Sequence, residues 1–104
     1  MIKVSVLYPY TANARFDMDY YLNHHVPMVR EKLGSACQGA IIEQGVSGGA
    51  PGSPPPYLVI GHLMFDSVAS FQSAFGPHAS AIMADIPNYT PIQPVLQISE
   101  VKLS

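Results

Sequence analysis

Residues Tyr57 to Phe65 carry apolar side chains on both faces of one extended segment. Tyr57, Val59, Gly61, Leu63 and Phe65 fall on one side, and Leu58, Ile60, His62 and Met64 on the other. Period-two spacing of this kind marks a strand. A strand with two apolar faces belongs inside a sheet that is covered on both sides. The chain has 104 residues, which suffices for one core, so a single domain over residues 1–104 is expected. Its own helices can cover one face of the sheet, and a second subunit is the expected cover for the other. Charge content agrees, because only 12% of residues are charged, well under the roughly one quarter usual for soluble domains. A homodimer is therefore expected.

The remaining elements follow from the same patterning. Ile2 to Tyr8 alternates, with Ile2, Val4, Val6 and Tyr8 on one face and Lys3, Ser5 and Leu7 on the other. Ala40 to Val46 predicts a second strand and Val95 to Leu103 a last one. Between the first two strands, Met18, Leu22, His25, Val29 and Leu33 recur every three or four residues, as on one stripe of a helix. Asp17 is a candidate N-cap, and Phe16 with Tyr21 a hydrophobic staple. Pro27 predicts a kink or break at His25-Val26, since its ring clashes with a preceding carbonyl and biases Val26 away from helical angles. Gly34 suits a helix stop. Asp66-Ser67 caps a later helix, with Val68, Phe71, Phe75, Ile82 and Met83 as its inner stripe and Gly76-Pro77 dividing it in two. The order is β-α-β-β-α-β. It predicts an α+β, ferredoxin-like fold with a four-stranded antiparallel sheet and both helices on one face.

His25 sits inside the apolar stripe, whereas His24 is turned about 100° toward solvent. Tyr21 precedes His25 by one turn, close enough for ring contact. Two readings of His25 stand side by side: a buried structural histidine with both nitrogens satisfied, and an acid–base or ligand-binding histidine in a pocket. Tyr8, His62 and Gln97 are further candidates for a pocket lining. Residues 47–56, rich in Gly and Pro, predict an exposed loop tip rather than a flap over a pocket. Cys37, the one cysteine, has no basic neighbour in sequence and is expected to be inert packing.

Several function classes lose their support. The formal charge is −2 and no basic run occurs, so neither nucleic acid nor an anionic membrane is an expected partner. No apolar run is long enough to span a bilayer and no secretion signal opens the chain, so a cytoplasmic protein is expected. No close-spaced ligand pair indicates a metal, no glycine loop sits where a phosphate would bind, and no cofactor is called for. What remains is a set of His and Tyr side chains in an apolar setting, suited to a small, mostly apolar molecule with one oxygen to hydrogen-bond.

Phe16-Asp17-x-Asp-Tyr20-Tyr21-x-x-x-His25-x-Pro27-Met28, together with Asp85-x-x-Asn88-Tyr89-Thr90 and Gln97-Ile98-Ser99-Glu100-Val101, resembles the EthD family, named for ethyl tert-butyl ether degradation. The resemblance covers nearly the whole chain, and Tyr-Tyr-x-x-x-His-x-Pro is its most specific part. It implies a dimeric α/β barrel in which two ferredoxin-like sheets pack face to face. It also implies an association with oxidative breakdown of small organic molecules, with His25 as the family's matching histidine and Tyr21 beside it. An enzyme of this kind would be monooxygenase-like or cyclase-like and metal-free. The alternative is a non-catalytic carrier for a hydrophobic intermediate.

Overall fold

The computed structural model describes all residues from Met1 to Ser104. Four strands, β1 (Ile2–Pro9), β2 (Gly39–Gln44), β3 (Tyr57–Phe65) and β4 (Val95–Glu100), form one antiparallel sheet in the order β2-β3-β1-β4. The first helical arm comprises α1 (Met18–Tyr20), a π-helical turn (Tyr21–His25) and α2 (Val26–Leu33). The second comprises α3 (Val68–Phe75), a 3-10 turn (Gly76–His78) and α4 (Ala79–Asp85), and a further 3-10 turn follows at Ile86–Asn88. This is the ferredoxin-like arrangement, each arm joining strands that follow one another in sequence but are not adjacent in the sheet.

Pairing register decides which side chains meet the helices. Val4, Val6 and Tyr8 of β1 stand opposite Leu63, Gly61 and Val59 of β3, on the helix side. Val4, Tyr8, Val59 and Phe65 are all 1% exposed or less, and burying a side chain of this size contributes about 1.5–3 kcal/mol. The core has two lobes. One joins Ile2, Val4 and Phe65 to Val29 and Leu33 of α2 and to Phe71 and Ile82, with Cys37 packed among them. The other gathers Tyr8, Tyr21, Val59, Ile86, Tyr89 and Ile92. On the opposite face, Ile41, His62, Ser5 and Gln97 form a row across all four strands.

Local signals read from sequence hold at the caps. Asp17 accepts from the Tyr20 amide at 3.1 Å, and Ser67 accepts from the Ser70 amide at 3.0 Å. Phe16 and Tyr21 pack with centroids 5.2 Å apart. The break expected at His25-Val26 is absent. Val26 has helical angles (φ −60°, ψ −46°), and its amide donates to the Tyr21 carbonyl, five residues back. The chain widens into a π turn, which seats Pro27 near the start of α2, where a missing N–H costs little. The widened turn also corrects the predicted stripe. Tyr21, His25, Val29 and Leu33 are buried, whereas Leu22 is 44% exposed. In the second arm, Val68 and Met83 lie toward solvent, leaving Phe71 and Ile82 buried. β4 ends at Glu100, short of Leu103.

Candidate functional site

The π turn carries the site. Neighbouring side chains five residues apart diverge on an α-helix but nearly align across a π turn. Tyr20 and His25 therefore reach one carboxylate, that of Asp85 at the end of α4. The Tyr20 hydroxyl donates to Asp85 Oδ1 at 2.7 Å, and His25 Nδ1 donates to Asp85 Oδ2 at 2.8 Å. Asn88 Nδ2 adds a third bond, to Oδ1 at 2.9 Å. The 3-10 turn that holds Asn88 is pinned to the connector before α1. There Arg15 donates to the Pro87 carbonyl at 3.1 Å, and Thr90 Oγ1 donates to the Arg15 carbonyl at 2.7 Å.

Charge states follow from this geometry. Burial pushes His25 below its ordinary pKa and outweighs the opposing pull of Asp85. His25 is thus neutral near pH 7, with its proton on Nδ1. Burial works to raise Asp85, but hydrogen bonds from Tyr20, Asn88 and His25 outweigh it and hold the carboxyl below its usual value. The pair is a neutral imidazole oriented by a carboxylate, the arrangement in which an acid fixes tautomer and ring direction. His25 Nε2 has no protein partner, and no buried polar side-chain atom is left both sealed and unpaired. Nε2 therefore opens onto space.

His25 also lines a cavity of ≈ 60 Å³ between the helices and the sheet. Fourteen of its 16 lining residues are hydrophobic, and His25, Tyr21 and Tyr8 are among the lining. Met83 and Leu96, both about two-fifths exposed, mark its mouth. The Tyr21 ring stacks on His25 at 5.7 Å and 15°. Its hydroxyl lies over Gly61, 2.6 Å from where a Cβ would stand, so only glycine leaves room there. Burial raises the Tyr21 pKa, and it pushes Tyr8 up to about 12 against the lowering effect of its bond to Tyr89.

Of the residues singled out from sequence, the structure brings His25, Tyr21 and Tyr8 together. The other two lie elsewhere, because strand alternation puts His62 and Gln97 on the far face of the sheet. His62 Nδ1 meets Ser5 Oγ at 2.8 Å and its Nε2 meets Glu43 at 3.0 Å, so both nitrogens are taken by protein groups. Gln97 is exposed and donates to Ser99 Oγ at 3.1 Å. None of residues 47–56 lines the cavity. The roles of Asp85, Tyr20 and Tyr89 were not read from the sequence, nor was that of Gly61, although a glycine inside an otherwise apolar strand signals close approach. No group of three His, Cys, Asp or Glu side chains converges as metal ligands.

Fold and site together define a ferredoxin-like α+β protein in which a buried histidine, paired with a half-buried aspartate, borders an apolar cavity. The EthD domain model matches residues 11–91, and the chain belongs to that family. An EthD-like protein from Ralstonia eutropha JMP134 is 49% identical over 98% of this chain and 92% of that chain, with a TM-score of 0.94. An ethyl tert-butyl ether degradation (EthD) family protein from Bacillus halodurans C-125 is 20% identical over 97% of this chain and 98% of that chain, with a TM-score of 0.72. A dimeric protein of unknown function and ferredoxin-like fold from Bacteroides fragilis is 11% identical over 96% of this chain and 95% of that chain, with a TM-score of 0.59, a likeness of fold alone. No curated protein matches. No helix is long and apolar enough to cross a membrane.

Proposed function

We propose that this EthD-family protein binds a small, mostly apolar organic molecule in the cavity and uses His25 as a general base on it. One observation carries the proposal. Asp85 fixes His25 through Nδ1, while Nε2 has no protein partner and the residue lines the cavity. A structural histidine would have both nitrogens occupied, as His62 does. The family name associates the work of the site with oxidative degradation of small, ether-like compounds, and base chemistry is the part of such a process that these residues can perform. Homodimerisation, sheet against sheet, belongs to the same proposal. It is supported by Ile41 and Val95, each more than half exposed on the far face.

Saturation-transfer NMR with a panel of small oxygenated hydrocarbons tests the site. Binding to the wild type is expected, with His25→Gln altering the response of oxygen-bearing ligands while keeping the melting temperature near neutral pH, and Asp85→Asn altering it at some cost in stability. A protein that takes up no member of the panel would end the proposal.

A further inference from the structure

His25 Nε2 and the Tyr21 hydroxyl are the polar side-chain groups of the cavity that no protein group engages, since the Tyr8 hydroxyl is occupied by Tyr89. Tyr21 is 3% exposed and His25 6%. Neither polar atom is sealed, because every fully buried polar side-chain atom has a partner. The two rings lie near-parallel with centroids 5.7 Å apart, and both residues line the same cavity. One is a lone-pair acceptor and the other an O–H donor that burial keeps protonated. No Lys or Arg lines the cavity, so a carboxylate or phosphate would meet no countercharge there. The complement of this pair is a neutral carbonyl compound with an acidic C–H next to the carbonyl.

We infer that the cavity takes a small, apolar, enolisable β-dicarbonyl compound, with His25 Nε2 removing the proton from the carbon between the carbonyls and the Tyr21 hydroxyl holding the oxygen that becomes negative. This rests on the small-molecule reading of the cavity above and names its substrate class. The C–H bond gives its proton to Nε2, and its electron pair forms the C=C bond. The carbonyl π pair moves onto oxygen, where Tyr21 donates to it. The imidazolium so formed faces the Asp85 carboxylate. It returns the proton to oxygen or carbon, so the net change is enolisation and no oxidant enters. Two carbonyls are needed because a buried neutral imidazole is a weak base, matched to an activated C–H rather than to a simple ketone. A molecule larger than the enclosed space extends toward Met83 and Leu96.

The probe is acetylacetone methylated at its central carbon, which bears one C–H between two carbonyls. Its exchange in heavy water is followed by proton NMR, and its binding by saturation transfer in the same tube. Wild-type protein is expected to bind the probe and to exchange that proton faster than buffer alone. His25→Gln should abolish the acceleration. Tyr21→Phe removes only the hydroxyl, which has no protein partner to lose. It should slow exchange about 10–100-fold, the worth of one hydrogen bond to a developing charge, with binding changed only a few-fold and the melting temperature kept. Binding without accelerated exchange in the wild type overturns this inference and leaves the small-molecule reading standing. Exchange as fast in Tyr21→Phe as in the wild type also overturns it. Absence of any binding overturns both.

Discussion

The hydroxyls of Tyr8 and Tyr89 meet at 2.6 Å, although 81 residues separate them in the chain. This bond ties β1 to the turn after α4, the turn that follows Asp85. Tyr89 also packs against His25, with centroids 4.7 Å apart. One buried contact thus links the sheet, the base and the end of the second arm.

Tyr8→Phe leaves the Tyr89 hydroxyl without its partner in an apolar setting, and should cost about 1–3 kcal/mol. Tyr89→Phe should cost a similar amount. The double variant should cost clearly less than the sum, because the second change removes the group that the first left stranded. Urea denaturation of the four proteins measures this, and strictly additive losses would show that the bond contributes nothing.

Acid should destabilise the protein through His25. Its folded pKa lies below the ordinary 6.5, so the unfolded chain takes up this proton first as pH falls. The stability held by the neutral, buried ring is complete above pH 6.5 and declines as pH drops from there toward the folded pKa. Asp85, held below 3.8, keeps its contribution above that pH and loses it only as pH falls through its lower folded value. Melting curves between pH 7.5 and 5 should therefore slope downward in the wild type and flatten in His25→Gln. Asp85→Asn removes the charge that raises His25, so the imidazole should titrate lower still by NMR. A His25 that titrates above 6.5 would contradict the assignment of a neutral base.

Gly61→Ala would place a Cβ 2.6 Å from the Tyr21 hydroxyl. The ring cannot swing away freely, since Phe16, His25 and Tyr8 pack around it at centroid distances of 5.2, 5.7 and 5.9 Å. A loss of about 1–3 kcal/mol is expected from this overpacking. Tyr21→Phe should recover much of that loss, because the next ring atom stands 3.9 Å off, an ordinary contact. Chemical denaturation of the double variant decides the point, and no recovery would mean the strain lies elsewhere.

Assembly is expected through the face that bears Ile41, His62, Ser5 and Gln97. Sedimentation velocity at micromolar concentration should give a dimer, with an interface above roughly 1,000 Å² of buried surface. Ile41→Glu sets a charge among exposed apolar groups of that face and should shift the protein to monomer without unfolding it. A wild-type monomer would remove the sheet-to-sheet arrangement.

Sequence patterning gave the strands and caps because their causes are local. Alternation of Ile2 to Tyr8 and the side chains of Asp17 and Ser67 act within a few residues. His25 was found for the same reason, as a polar residue on an apolar stripe. Asp85 was not assigned a role, because its meaning depends on a carboxylate brought across 60 residues to His25. His62 and Gln97 were grouped with the pocket by residue type. The parity of β1, β3 and β4 puts them on the other face, and parity becomes informative only once the helices' side is known. The π turn was missed because a proline signals that an α-helical hydrogen bond is lost, without telling whether the chain breaks or widens.

The widened turn has a consequence for chain length. Between Tyr20 and His25 the helix holds one residue more than α spacing requires, and the surplus falls among Leu22, Asn23 and His24, all solvent-exposed. Loss of one of these three would tighten the turn to α-helix and leave Tyr20 and His25 in phase, both still directed at Asp85. It would also put Pro27 inside an uninterrupted α-helix, at about 3 kcal/mol. Shortening is therefore tolerable here only when the proline changes as well, so the extra residue and Pro27 are expected to be gained or lost together. The same deletion within α2 has no such escape and would rotate Val29 and Leu33 away from the core relative to His25.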